Sequence, residues 1–337
     1  MLPTPSTSHV SYDRIYEPAE DSYLFLDTLS SALETAWLQA RFKPSSSYTS
    51  SSTLSSTTTT SLRPEQTPTP SPHRPGRTRT PKPTTPPPLV VELGPGSGVI
   101  IAFLTAHAHT IFGQSVLSLG VDVNPHACLA TRTTVENALY ETKTSTESNS
   151  TSNSIYLASL TGDLTTPLRP GEVDVLIFNP PYVPTDSVPD IGALRNQHQN
   201  QQTHTVPVTS VGADANTQSS LNTKVVSSSS SSSLTFEESS HLLALSYAGG
   251  IDGMQVTMRL LHQIPHILSP RGVAYILFCR GNKPEEVKSW IRSWNSDGGD
   301  GSGSGDGNGR RWTAETVGSS GKTAGWEKLE IVRICRE

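Results

Sequence analysis

Cysteine is scarce: Cys128, Cys279 and Cys335 are the only three in 337 residues, too few and too scattered for a disulfide framework or a zinc-ligand spacing. No apolar run approaches the roughly 20 residues that span a bilayer, and the N-terminus lacks the charged-then-apolar pattern of a signal peptide. A soluble, reducing compartment is therefore expected, the cytoplasm or the nucleus, with no membrane partner. Basic surplus is also missing. The formal net charge is −5 and the isoelectric point is near 6.1, which gives no electrostatic footprint for nucleic acid or acidic lipid. The one basic cluster, Arg74, Arg77, Arg79 and Lys82, lies in a Pro/Thr-rich stretch and reads as a solvated linker.

Apolar residues (34%) and charged residues (16%) both fall short of globular averages, and Ser, Thr, Pro and Gly fill the gap. They are concentrated in segments 1–11, 43–88, 141–153, 185–233 and 296–310, which cannot bury enough apolar surface to offset the entropy of ordering them. Setting these aside leaves roughly 200 residues, enough for one ordinary core. The expectation is a single domain over 12–337, interrupted at surface connections, since the cost of closing a longer loop grows only logarithmically.

The remaining sequence alternates strand and helix. Leu26, Leu29, Leu33 and Trp37 recur at helical spacing between Tyr23 and Phe42. Strands are expected at Leu89 to Leu93, Val116 to Val123, Ser154 to Leu160, Val173 to Phe178 and Val273 to Cys279; most are continuously apolar, as in a parallel sheet buried on both faces. Helices are expected at Val99 to Ala106, Ala127 to Tyr140, Met254 to Leu268 (broken or kinked near Pro265) and Pro284 to Trp294, with Ser269 to Gly272 a turn. Two closing β-like runs, Trp312 to Val317 and Lys328 to Cys335, complete a doubly wound, Rossmann-like α/β sheet with an antiparallel hairpin.

Ligands of such sheets bind at the carboxyl ends of the strands, so the residues just after each strand matter most. Gly94, Gly96 and Gly98 form a turn after the first strand, where missing β-carbons let a ligand approach the backbone. Asp122 ends the second strand and could accept from two ribose hydroxyls; Asp163 follows the third and could accept from an adenine amino group, with Leu164 against the ring. Each alone could equally be a strand-end cap or part of a dinucleotide site. Together they favour another ligand. The turn is G-x-G-x-G, not G-x-G-x-x-G, and Glu92 before it would repel a diphosphate but suits a cation. S-adenosylmethionine carries an ammonium and a sulfonium and no phosphate.

Asn179-Pro180-Pro181-Tyr182 directly follows the fourth strand. The Asn179 side-chain oxygen and the Pro180 carbonyl can accept both N–H bonds of a planar NH₂ group, aiming its lone pair at a methyl donor. Prolines at 180 and 181 stiffen the loop, and Tyr182 can stack on the planar group. The bland alternative is a rigid turn with Tyr182 packed on the core. The ten histidines are scattered and no metal-ligating constellation stands at the strand ends, so no metal is expected.

These motifs, with Tyr16-Glu17-Pro18-Ala19-Glu20-Asp21-Ser22, Asp122-Val123-Asn124-Pro125, Ala248-Gly249-Gly250-Ile251-Asp252-Gly253 and Ser269-Pro270-Arg271-Gly272, resemble the HemK-like release-factor glutamine methyltransferases. The Tyr16 to Ser22 segment is most similar to the short eukaryotic catalytic subunits, which lack the separate N-terminal helical domain of bacterial members. The resemblance implies a seven-stranded class I methyltransferase sheet. It implies S-adenosylmethionine held by Ser22, Glu92, Gly94, Gly96, Gly98, Asp122, Asp163, Leu164 and Asn179, with Asn179 to Tyr182 catalytic. It also implies N5 methylation of the glutamine in a Gly-Gly-Gln motif of the class 1 translation release factor, and a heterodimer with a small zinc-binding activator on the sheet edge near 154–160. Adenine-N6 methyltransferases share Asn-Pro-Pro-Tyr and are the alternative; they need a basic groove, and none is visible.

Overall fold

The computed structural model describes residues 2–43, 86–145, 153–192, 236–294, 311–320 and 328–337. Most of the segments expected to be low-complexity at 43–88, 185–233 and 296–310, and part of that at 141–153, lie outside the described residues.

Seven strands form one sheet: β1 (Leu89–Leu93), β2 (Leu117–Asp122), β3 (Ile155–Thr161), β4 (Val173–Phe178), β5 (Leu268–Cys279), β6 (Trp312–Ser319) and β7 (Leu329–Arg336). Their order is β3-β2-β1-β4-β5-β7-β6, parallel except for β7, which runs antiparallel to β5 and β6. This is the doubly wound sheet with a closing antiparallel hairpin that the alternation predicted, with the seven strands that the resemblance implied. The order reverses between β1 and β4, which puts a crevice at their carboxyl ends. All six residues of β4 are buried, so its continuous Val-Asp-Val-Leu-Ile-Phe run reflects helices on both faces.

Eight helices are described: α1 (Glu20–Leu29), α2 (Ala32–Arg41), α3 (Val99–Ala106), α4 (Ala108–Phe112), α5 (Pro125–Ser145), α6 (Phe236–Tyr247), α7 (Gln255–Ile267) and α8 (Pro284–Ser293). One face of the sheet packs on α1 to α5 through Phe25, Phe103, Ile101 and Tyr275; the other carries Leu260, Ile264, Ile291 and Phe278. The helix expected over Tyr23 to Phe42 is two helices. Ser31 breaks it by capping the second, its hydroxyl accepting from Glu34 N at 3.3 Å. The break rotates Leu33 out of the apolar stripe into solvent.

Other expectations also change. Residues 2–11 are not a solvated tail: Val10 is buried beside Ile15 and Ala127, His9 pairs with the Ala130 carbonyl at 3.3 Å, and the Pro3 carbonyl pairs with His107 at 2.9 Å. Helix α5 runs on through Ser145, into the segment expected to be structureless from 141. Helix α7 passes through Pro265 and ends two residues later, so the proline sits in its last turn instead of breaking it. Residues 269–272 belong to β5, where the ladder with β4 skips between Val173 and Val175, instead of forming a turn. Arg271 explains this segment: it holds Asp174 through two bonds of 2.9 and 2.8 Å, and Ser269 adds a third at 2.7 Å. That cluster lies at the amino end of β4 and is structural.

Candidate functional site

A cleft of about 430 Å³ opens at the carboxyl ends of β1, β2 and β4, a size typical of small-molecule sites. It gathers Ser22, Glu92, Gly94, Gly96, Asp122, Asp163, Leu164, Asn179, Pro180, Pro181 and Tyr182 from the sequence-derived set. Gly98 is the exception. It does not line the cleft; it takes φ +80 at the start of α3, and a β-carbon there would stand 2.6 Å from Thr131 Cα. It is glycine because α5 packs against it.

Glu92 is 1% exposed, and its Oε2 accepts from Ile101 N at 2.8 Å. Gly98 has no side chain to cap α3, so the carboxylate from β1 does so across the turn. Burial pushes Glu92 well above the usual carboxylate range, with Asp122 adding to the rise against the Ile101 hydrogen bond. An entering cation would favour its ionised form.

Asp122 Oδ2 accepts from Gly96 N at 3.1 Å and Oδ1 from Asn124 N at 2.8 Å, tying the glycine turn to the end of β2. Burial pushes this carboxyl up to about 6 despite the lowering by the backbone N–H groups of Asn124, Gly96 and Val123. A carboxylate oxygen has two lone pairs, so each oxygen keeps room for one further donor.

Asp163 forms an ion pair with Arg259 of α7, a partner the sequence did not suggest. Leu164 is buried beside it in a left-handed conformation, φ +49, which non-glycine residues adopt only under local constraint.

The loop after β4 is braced from behind. Val183 N donates to Tyr247 O at 3.0 Å, Gly249 N to Val183 O at 2.8 Å and Thr185 N to Gly250 O at 3.0 Å. Asn282 Nδ2 donates to the carbonyls of Tyr182 and Asp252 at 3.4 and 3.0 Å. A β-carbon on Gly249 would stand 2.5 Å from the Pro181 carbonyl oxygen, and one on Gly253 would collide with that of Tyr182. The Ala248 to Gly253 motif is therefore a backstop that aims the loop. The Tyr182 ring packs partly buried against the core that α1 shares with the sheet, so packing is at least part of its role.

Asn179 is the focus of the cleft. Its Nδ2 donates to Asp21 Oδ2 at 3.1 Å, while its Oδ1 is buried with no hydrogen-bond partner among the described residues. Such an orphan acceptor is costly unless something donates to it. Asp21 and Arg259 were both missed as site residues by sequence reasoning. Asp21 stood inside the Tyr16 to Ser22 motif, but nothing local tells which of its acidic residues turns inward.

No protein-family model matches the chain. Among curated proteins it is 24% identical over 291 residues to methyltransferase HEMK2 of Homo sapiens, covering 84% of this chain and 82% of that protein. It is 25% identical over 293 residues to the Mus musculus HEMK2. It is 24% identical over 341 residues to the eRF1 methyltransferase catalytic subunit mtq2 of Schizosaccharomyces pombe, covering 100% of this chain and 96% of that one. Among solved structures it is similar to an E. cuniculi Mtq2-Trm112 complex, with a TM-score of 0.42, 15% identity and 96% of this chain covered. Relatives that match along most of the chain, and a sheet of this order with Asn179 at its switch point, fit the resemblance to the HemK-like methyltransferases.

Proposed function

We propose that this chain is the catalytic subunit of an S-adenosylmethionine-dependent methyltransferase that modifies the side-chain amide nitrogen (N5) of the Gly-Gly-Gln glutamine in the class 1 translation release factor. The observation that carries the proposal is the buried, unpartnered Oδ1 of Asn179, an acceptor waiting for an N–H donor. A primary amide supplies that donor. Its nitrogen is a weak nucleophile, so orientation contributes most, and Asn179 would hold the group with its lone pair toward the methyl donor. The acidic charge balance and the relatives' names favour a protein acceptor over adenine.

The residues present fit the cofactor. When bound it supplies an electrophilic sulfonium methyl. Gly94 and Gly96, at φ +58 and +55, leave the turn open to it; Asp122 would take its ribose hydroxyls, Asp163 and Leu164 its adenine, and Glu92 its positive end. Asp122 then makes affinity depend on pH. Only the ionised carboxylate accepts from two hydroxyls, so affinity should be about tenfold weaker at pH 5 than at pH 7.5, falling as pH drops through about 6. The stability contribution runs oppositely. This group's folded-state pKa lies above its unfolded value, so between the two the free fold binds the proton and gains stability as pH falls. Calorimetric titration across this range checks both, and a flat affinity would remove Asp122 from the ribose.

A small zinc-binding activator would cover β3. That strand is a sheet edge, and its Ile155 and Leu157 are 54% and 52% exposed. The S. pombe relative is itself named a catalytic subunit. Replacing both side chains with lysine should weaken activator binding about 10²-fold, the size expected for two buried aliphatic groups, and improve the solubility of the isolated chain. Unchanged co-purification would place the activator elsewhere.

The test of the activity is to incubate the chain and activator with methyl-labelled S-adenosylmethionine and the release factor, and to locate the label by mass spectrometry. Methyl on the glutamine amide is expected. Label on nucleic acid or on lysine would refute the proposal.

A further inference from the structure

We infer that Asp21 is a positioning residue that sets which end of the Asn179 amide faces the methyl acceptor. The inference rests on the proposed amide acceptor and concerns a residue 158 positions earlier in the chain than Asn179. An asparagine amide is nearly symmetric in shape: a half-turn about its last torsion exchanges the oxygen acceptor for an NH₂ donor. Only one of these orientations can receive an incoming N–H. Something must choose between them, and shape alone does not.

Asp21 stands in the first turn of α1, 3% exposed, with its carboxylate against the Asn179 amide. A carboxylate only accepts. With Nδ2 toward it, the two form a hydrogen bond of 3.1 Å; with the amide turned over, oxygen would face oxygen. The other carboxylate oxygen is held by Ser22, through its backbone N at 2.6 Å and its hydroxyl at 3.3 Å. Ser22, expected to bind the cofactor, thus steadies Asp21. The chain Ser22 to Asp21 to Asn179 leaves Asn179 Oδ1 as its free end, and each bond polarises the next, making that oxygen a better acceptor.

Asp21→Asn keeps the size of the side chain and reverses its preference. Its oxygen would retain the Ser22 N–H, turning its own NH₂ toward Asn179 and favouring the flipped amide there. With the wild-type complex as reference, kcat should fall about 10²-fold, the size of one mis-set transition-state hydrogen bond, with cofactor Kd within a factor of about three and an unchanged melting temperature. The polarity can be exchanged. Asn179→Asp alone sets two carboxylates against each other and should be inactive; combined with Asp21→Asn, it again offers an oxygen to the acceptor while receiving from residue 21. The double variant should therefore exceed the product of the two single effects by at least about tenfold. A merely structural Asp21 would give multiplicative losses or lower the melting temperature without moving kcat, and either outcome overturns the inference.

Wild-type transfer to the glutamine is a separate control. If it is absent, the proposed substrate falls, but the Asn179 side-chain ¹H–¹⁵N signals need no acceptor. Slow exchange of an Nδ2 proton that is lost in Asp21→Asn would support the positioning role; identical exchange in both proteins would overturn it.

Discussion

Asn179→Ala is expected to lower methyl transfer about 10³-fold or more while leaving S-adenosylmethionine affinity within a factor of about three. The substitution removes two things. One is the buried Oδ1, the acceptor available for an incoming amide. The other is the partner of Asp21 Oδ2, which loses a donor at 3.1 Å. The first loss acts on kcat, because orientation of a weak nucleophile is most of what the site offers. The second acts on stability, at about 1–3 kcal/mol for a buried acceptor left unsatisfied. Measuring both quantities separates them: transfer by label incorporation well below the melting temperature, and stability by denaturant titration. Turnover within tenfold of wild type in a folded Asn179→Ala protein would show that the acceptor is held elsewhere.

The parts of this architecture that sequence patterning exposes are those governed by local rules. β1, β4 and the Val273 to Cys279 part of β5 are short, mostly apolar runs, and burial on both faces leaves them little other composition. Since the cleft sits where β1, β2 and β4 end, strand ends alone bring Gly94, Asp122 and Asn179 together. Glu92 is legible as a carboxylate beside the turn, whereas its bond to Ile101 is a contact across the turn that the strand pattern does not show. The available signal was a helix opening at Gly98, which has no side chain and so must borrow its cap.

What stayed hidden depends on pairings between distant segments. Asp21 and Arg259 meet the cleft from α1 and α7, far in sequence from Asn179 and Asp163, and an acidic or basic residue near a helix start looks the same whether it faces water or a partner. Residues 2–11 have no periodicity because they are held by a few side chains instead of a repeating face. Helix α6 carries one buried residue, Leu242, and so shows little apolar pattern; it lines the cleft through that leucine and Leu245.

The backstop behind the Asn179 loop gives the second large effect. Gly253 takes φ +68 where a β-carbon would run into the Tyr182 carbonyl oxygen, so Gly253→Ala must shift either the Ile251 to Gly253 turn or the loop it braces. Asn282 ties the turn to the same carbonyl, which resists separation, so the displacement passes into Pro180 to Tyr182. A shift near 1 Å in an orienting group costs about 10²-fold in rate, and transfer by Gly253→Ala should fall by at least that. Stability should drop by about 2–4 kcal/mol, combining left-handed backbone strain with overpacking. Gly171 is the internal control. It takes φ +76 with nothing within 4 Å of its β-carbon position, so Gly171→Ala should show the backbone strain alone, about 1–2 kcal/mol, with kcat unchanged. The two glycines share nearly the same positive φ, and only Gly253 meets the loop. Equal losses of rate in the two variants would mean that the glycine motif sets stability and does not aim the Asn179 loop.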